Sequence, residues 1–220
     1  VATALLAALF VLIALRPGST TAQNPKTRGL VTLWIAQNLV LVASAAWRTW
    51  DYVVSYDLTR LRIAALLWMA LVAAGLVLVL WRMLREKSAS WLINANLVSS
   101  GLLLSAVCFV DLGAVAASWN VRHAREIDGK GAALDLCYLS GLGGSALLPL
   151  IELEQRELPE GLHQQARSAR IALMQELTHQ SNDGGWSLLL DRRLARAGEL
   201  VGPQTPPPVI EGPCHERHDD

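Results

Sequence analysis

The sequence predicts an all-α protein: polytopic transmembrane helices followed by a small helical juxtamembrane domain. Three apolar stretches carry this prediction, because each is long enough to cross the ~30 Å hydrocarbon core of a bilayer as a helix. They cover residues 30–47, 63–81 and 91–110. After them, apolar residues recur at helical spacing in a segment that is richer in charge. We therefore expect a transmembrane region over residues 1–117, a helical aqueous domain over residues 118–201 and a disordered tail over residues 202–220.

A shorter apolar run covers residues 1–15 and stops at Arg16 and Pro17. We interpret it as a partial helix, the second half of a membrane helix that begins upstream in a larger polytopic protein. A signal peptide is the alternative, since an apolar core of this length is normal there. No basic region precedes Val1 and no small-x-small cleavage site directly follows the run, which favours the partial helix. The expected partners are then the lipid bilayer and upstream transmembrane helices of the full-length protein.

Charge is distributed unevenly along the chain. Residues 1–117 carry nine Lys/Arg and four Asp/Glu, whereas residues 118–220 carry ten and fifteen. Neither part has the basic clusters with interleaved aromatic residues that nucleic-acid binding requires, so we expect no nucleic-acid partner. The loops on the two sides of the bilayer carry equal numbers of Lys/Arg, so the positive-inside rule does not choose an orientation. The acidic tail gives a slight preference for its lying outside the cytoplasm.

Polar residues within the spans are expected to face other helices. Gln37, Ser44 and Arg48 share one face of the first complete span, and Asn94 and Ser105 share one face of the last. Because polar groups in lipid must find partners, we expect these two faces to make interhelical polar contacts. The alternative is a polar path for an ion or solute, which is less favoured since no acidic residue or His lies in the middle of a span.

Motifs that could carry chemistry are incomplete. The cysteines are Cys108, Cys137 and Cys214, and their number and scatter define neither a disulfide framework nor a paired zinc knuckle. The segment from Cys214 to His218 has one Cys and two His among its potential metal ligands, but it follows the proline-rich residues 203–208 in a stretch that we expect to be too poor in apolar residues to order itself. Gly141 to Gly144 lacks the preceding strand and the following Lys-Ser/Thr of a phosphate loop. We expect no cofactor, no metal site and no catalytic residue.

Two polar residues are predicted to cap helices. Asp111 directly follows the last span and precedes a juxtamembrane helix that starts at Leu112. Ser145 precedes a predicted helix over residues 146–157.

The aqueous domain is predicted to contain two further helices. Pro159 and Glu160 suit a first turn, and Asn182 to Gly185 ends the pattern. The first apolar stripe consists of Leu162, Ala166, Ala169, Leu173 and Leu177, with Arg167 and Arg170 away from it; the second consists of Trp186, Leu190, Leu194 and Ala197. Such stripes pack on each other or lie on lipid headgroups.

Two stretches carry a resemblance to a known family. The first runs from Gln37-Asn38 through Leu41-Val42-Ala43-Ser44, Arg48, Tyr52-Val53 and Tyr56 to Arg62, and continues into a span with Trp68-Met69. The second comprises Asn120-Val121, Leu134 to Gly143, Ala146 and Pro149. They resemble a bacterial polytopic family catalogued as domain of unknown function 4173, with relative 4153, in which an Asp-x-x-Tyr-Leu element follows the last span.

The resemblance covers roughly residues 30 to 155. This chain departs from the pattern at Asp57, where Gly is expected before Leu-Thr, and at Ser118 and Cys137. The resemblance implies a multi-span membrane protein of the bacterial plasma (inner) membrane, without an established reaction and without catalytic residues to transfer.

These observations predict an integral membrane protein that is not an enzyme. We expect a non-catalytic membrane component, which acts as a scaffold, sensor or assembly partner. Part of a transporter or channel is the alternative. A membrane-bound enzyme is the third possibility, but the sequence lacks the clustered titratable groups that mark an active site.

Overall fold

The computed structural model describes residues 24–184 and 187–202, which form helices joined by short connections and contain no strand. The helices are α1 (Pro25–Tyr56), α2 (Arg60–Arg85), α3 (Ala89–Phe109), α4 (Leu112–Arg122), α5 (Arg125–Asp128), α6 (Leu136–Gly141), α7 (Leu147–Glu154), α8 (Glu160–Asn182) and α9 (Leu188–Val201), with a 3-10 turn over Gly143–Ala146. The prediction of an all-α fold is confirmed. The predictions for residues 1–15, for Trp186 and for the tail beyond Gly202 lie outside the described residues.

Three of these helices, α1, α2 and α3, are long and apolar enough to cross a membrane. They coincide with the three predicted spans, so this part of the prediction is confirmed. With 32 and 26 residues, α1 and α2 exceed the ~20 residues that a bilayer requires. Consequently only Asp57–Thr59 separate them, where the sequence predicted a longer loop. Most of the large apolar side chains on these helices are exposed, as contact with lipid requires.

Among the described residues, the first of two compact units consists of residues 24–50 and 64–110. Within its described part, the start of α1 is attached to the end of α2 through Arg28. Nη2 of Arg28 donates a hydrogen bond to the Met83 carbonyl at 2.6 Å, and Nη1 lies 3.3 Å from a carboxylate oxygen of Glu86. The positive charge of the guanidinium is also stabilised by the partial negative charge at the C-terminal end of α2.

The second unit consists of residues 51–63 and of the described residues between 111 and 202, and we call it the helical domain. Its core is built from α4 and α6 to α9. The completely buried apolar side chains of this core are Ala117, Val121, Leu139, Ala146, Leu147, Leu150, Leu153, Ala166 and Ala197. Because α4 contributes to this core, the second segment of the unit begins at Asp111. The predicted boundary after residue 117 stays a prediction.

The apolar stripes of the last two helices account for much of this packing. Ala166, Ala169, Leu173 and Leu177 on α8 and Leu190 and Ala197 on α9 are buried, and Leu162 and Leu194 are partly buried against the same core. The predicted stripes, over their described residues, therefore pack into one core. Pro149 lies in the first turn of α7, where a helix does not need the missing N–H.

Ser145 is not a helix cap, and this prediction was wrong. It lies inside the 3-10 turn, and α7 begins at Leu147 without a side-chain hydrogen bond at its cap residue, Ala146. The helix predicted over residues 146–157 therefore spans Leu147–Glu154. The hydroxyl of Ser145 donates instead to the carboxylate of Asp111, because hydrogen bonds to a charged acceptor are about twice as strong as those between neutral groups.

Candidate functional site

One carboxylate of the helical domain receives four donors. Asp111 Oδ1 accepts hydrogen bonds from the backbone N–H groups of Gly113 and Ala114 at 2.9 and 3.1 Å, so Asp111 caps α4 as predicted. The hydroxyl of Ser145 lies 3.0 Å from both oxygens. Arg193 on α9 forms an ion pair with Oδ2 through its Nη2. The carboxylate thereby connects three segments that are far apart in sequence.

A second arginine, Arg60, completes this cluster. We call Arg60, Asp111, Ser145 and Arg193 the polar junction. A Cβ atom on Gly113 would lie 2.5 Å from Nη2 of Arg60 and 2.8 Å from Oγ of Ser145, so the side chains approach the helix where only glycine leaves room. Nη2 of Arg60 also donates to the carbonyl of Leu142, just after α6, at 3.0 Å. Carbonyls at a helix C-terminus carry partial negative charge and stabilise a guanidinium there.

The electrostatics of the polar junction are governed by its two arginines. Burial lowers the pKa of the Arg193 guanidinium from its usual value, and the positive charge of Arg60 lowers the pKa further. The side chains of Arg193 and Asp111 are only 15% and 27% exposed. A guanidinium remains charged at neutral pH, so the carboxylate of Asp111 is needed to offset the cost of desolvating it.

Asn120 holds the connection between α1 and α2. Its side chain is 2% exposed; Oδ1 accepts a hydrogen bond from the N–H of Leu58 at 2.7 Å, and Nδ2 donates one to the Leu58 carbonyl at 3.1 Å. The hydroxyl of Tyr138 accepts a hydrogen bond from the backbone N–H of Arg60 at 3.0 Å. Two side chains thus satisfy two backbone groups of the connection and the N–H of the first residue of α2.

The same connection contains a backbone conformation that favours glycine. Asp57 has a φ of 71°, in the left-handed region, which Asp tolerates better than most residues. This conformation gives a physical reason for the Gly that the resemblance leads us to expect at this position. Burial raises the pKa of the Asp57 carboxyl to about 6; the negative charges of Asp135 and Glu126 raise the pKa as well, whereas Arg62 lowers it.

A further ion pair connects the middle of α8 with the end of α7. Arg170 is 1% exposed, and its Nε lies 2.5 Å from Oε2 of Glu154 on α7. Arg167 approaches the same carboxylate at 3.8 Å. The prediction that Arg170 lies away from the apolar stripe was therefore wrong. Four residues after Ala166, it lies on the buried face, where Glu154 compensates its charge.

The polar residues predicted to join the spans are exposed. They are Gln37, Ser44, Arg48, Asn94 and Ser105, and in the described part of the chain no side-chain hydrogen bond joins any of them to another residue. The contact predicted between the first and last spans at these positions therefore stays a prediction.

Asn96, two residues after Asn94, is a polar residue of α3 that lies close to Gly75 of α2. Its Oδ1 is 3.3 Å from the position that a Cβ on Gly75 would occupy, and its Nδ2 donates to the Leu92 carbonyl of its own helix at 2.9 Å. The pairing of a small residue with an amide is a common way for membrane helices to approach each other. The sequence signal was present in Gly75, the glycine within the second span, but its alignment with Asn96 required the structure.

The described residues form a network in which polar groups bind one another. Between residues 24 and 202, omitting 185 and 186, no group of three His, Cys, Asp or Glu is arranged to hold a metal, and no buried side-chain nitrogen or oxygen lacks a hydrogen bond. Cys108 is a free thiol on α3, and Cys137 is disulfide-bonded, which the scatter of the cysteines did not predict. The polar junction and Asn120 therefore hold distant segments together, and each of their principal groups already has a partner.

Sequence comparison connects this arrangement with a family. Residues 1–153 match the family described as Domain of unknown function (DUF4153), and the chain belongs to this family. The match includes the three membrane helices, the connection at Asp57, Asn120 and the segment from Asp135 to Ser145. No curated protein and no solved structure matches the chain.

Proposed function

We propose that the chain is a non-catalytic component of the bacterial plasma (inner) membrane, as a scaffold, sensor or assembly partner, and that it is not itself an enzyme. The observation that supports this proposal is the mutual saturation of the polar junction. Asp111 is occupied by two backbone donors, a hydroxyl and a guanidinium. A general base or nucleophile must instead present a free lone pair to its substrate.

The site residues of a scaffold and of an enzyme respond differently to mutation. In a scaffold, Asp111→Asn and Ser145→Ala should impair function only as far as they lower the amount of folded protein in the membrane. Each variant is to be introduced into a strain that lacks the gene, and the rescue of the deletion phenotype compared with folded abundance and Tm. Ser168→Ala is the matched control, because the exposed Ser168 hydroxyl bonds only to a carbonyl of its own helix.

Rescue should follow abundance across this series. The contrary outcome is that Ser145→Ala or Asp111→Asn accumulates to the level of the unmodified protein, with an unchanged Tm, and still fails to rescue the deletion phenotype. The polar junction would then take part in a reaction, and the proposal would be wrong.

A second candidate function, part of a transporter or channel, is supported by the exposed polar groups of the spans. Ser44 and Arg48 lie on the apolar helix α1, and their side chains have no hydrogen-bond partner among the described residues. They would either line a path for a solute or pack on other helices, and polar groups in lipid need one of these environments.

Thiol labelling separates these two environments. In full-length protein with Cys108 replaced by Ser, a cysteine at Ser44 should react with a small water-soluble thiol reagent if the face lines an aqueous path. A cysteine at Ala43, which is exposed and lies about 100° around the axis of the same helix from Ser44, is the control for contact with lipid. Equal protection of both positions would count against the transporter reading and favour packing on other helices.

A further inference from the structure

The last helix of the helical domain has two different faces. Its inner face, with Leu190, Leu194 and Ala197, packs into the core described above. Another face consists of Leu189, Arg192, Arg196 and Leu200, whose spacings of three, four and four residues place them along one side of α9. All four are exposed, and Leu189 and Leu200 are 54% and 49% exposed. We call these four residues the outer stripe.

The chemistry of the outer stripe is that of a helix at a membrane surface. Leucines at its two ends bracket two arginines that have no ion-pair or hydrogen-bond partner within the described ranges. Leu188, 56% exposed, borders the stripe and adds to its apolar area. Leucine side chains can enter the boundary between headgroups and acyl chains, while arginines extend their charged ends to lipid phosphates.

From this geometry we infer that the outer stripe of α9 docks on the surface of an anionic bilayer. A bilayer surface is always present beside this chain, because the same chain has three helices able to cross a membrane. The two arginines are complementary in charge to anionic headgroups. A stable protein interface buries about 800 Å² on each partner, and three half-exposed leucines are too small a patch to supply most of that area.

One acidic residue, Glu199, is expected to oppose docking of the outer stripe. Glu199 is exposed and lies three residues after Arg196, at the border of the outer stripe. Its negative charge opposes attraction to anionic lipid, so Glu199→Gln should strengthen docking. Neutralising the arginines should weaken it, and each basic residue near an anionic surface contributes a factor of about five in the binding equilibrium.

The test uses the full chain reconstituted in vesicles of phosphatidylcholine with or without phosphatidylglycerol. An environment-sensitive fluorescent amino acid is introduced by stop-codon suppression at Leu189, or at Ala195 as the matched control, which is exposed on another side of α9. With phosphatidylglycerol present, lipids with brominated acyl chains should quench the label at 189, and iodide in the water should quench the label at 195. Arg192→Gln with Arg196→Gln should weaken lipid contact at 189 about 25-fold.

Two results would overturn the inference. Equal quenching of both labels by iodide in the anionic vesicles would mean that the outer stripe faces water. Protection of the label at 189 in detergent micelles and in pure phosphatidylcholine, as strong as in anionic vesicles, would mean that a protein, or a second copy of this chain, covers the stripe. Because the substituted side chains are exposed, an unchanged thermal unfolding curve serves to verify that each variant is folded.

Discussion

Gly113 is the position at which a single added carbon atom most directly disturbs the polar junction. Gly113→Ala would place Cβ 2.5 Å from Nη2 of Arg60, forcing this guanidinium from its hydrogen bond with the Leu142 carbonyl. Overpacking costs ~1–3 kcal/mol, whereas Ala instead of Gly in a helix gains ~0.5–1 kcal/mol. We expect a net destabilisation of ~1–2 kcal/mol, measured by thermal or denaturant unfolding of the protein in lipid nanodiscs.

A control and a rescue distinguish this steric effect from a general effect of Gly replacement. Gly161→Ala on α8 has nothing within 4 Å of the new Cβ, so it should be neutral or stabilising. Combining Gly113→Ala with Arg60→Ala should cost less than the sum of the two single changes. Strict additivity would contradict the proposed clash.

Asp57 gives the helical domain a pH dependence whose sign follows from its pKa. The pKa of its carboxyl in the folded protein is about 6, above the ordinary value of 3.8, so the folded chain holds more protons than the unfolded chain between these values. The contribution of Asp57 to stability is therefore present at low pH and is lost as the pH rises through this range. Asp57→Asn should abolish this loss, which unfolding curves measured at a series of pH values would reveal. Asp51→Asn, at an exposed position on α1, is the control and should keep the dependence.

At the scale of secondary-structure elements, Asn120 provides the α1–α2 connection with the hydrogen bonds that regular secondary structure would otherwise supply. Asn120→Ala leaves the N–H and the carbonyl of Leu58 without partners, and each unsatisfied buried group costs ~1–3 kcal/mol. We expect faster hydrogen exchange at the Leu58 amide and destabilisation of ~2–5 kcal/mol. Asn120→Asp retains the acceptor but buries a carboxylate with one oxygen against the Leu58 carbonyl, so it should be at least as destabilising as Asn120→Ala. Asn38→Ala is the control, since its side chain bonds only to a carbonyl of its own helix; an equal loss there would contradict this role of Asn120.

The helices were largely predictable because their signals are local. Apolar length alone identifies α1, α2 and α3, and a periodicity close to 3.6 identifies the buried stripe of α8. The cap at Asp111 was also predictable, since its N–H donors are two and three residues away.

The polar junction was not predictable, because its members are brought together by the tertiary fold. Asp111 and Arg193 are 82 residues apart in sequence, and Asn120 and Leu58 are 62 apart. The wrong predictions for Ser145 and Arg170 have the same origin. The hydroxyl of Ser145 binds the distant carboxylate of Asp111 and caps no helix, and the buried charge of Arg170 is compensated by Glu154 on another helix. Spacing within one helix contains no information about such partners.

At the scale of the whole molecule, membrane topology and the packing of the helical domain lead to the same expectation. Three crossings place residues 51–63 and the chain after Val110 on the same side of the bilayer. The same two segments belong to one compact unit, in which Asn120 and Tyr138 hold the backbone of the α1–α2 connection. Packing of this kind is possible only if an even number of crossings, here α2 and α3, separates the two segments.

This topology predicts the side from which introduced cysteines react with a membrane-impermeant thiol reagent. In sealed vesicles, cysteines at Lys26 and Lys87 should be labelled from one side, and cysteines at Ser55 and Ser168 from the other. Lys26, Ser55 and Lys87 lie at or next to the ends of membrane helices, and Ser168 lies in the helical domain. From residue 26 to residue 55, α1 extends about 44 Å at 1.5 Å per residue, which matches a bilayer including its headgroups. The two positions expected on each side serve as controls for each other. Labelling of Ser55 and Lys87 from the same side would show that α2 does not cross, and it would also contradict the packing of residues 51–63 with the helical domain.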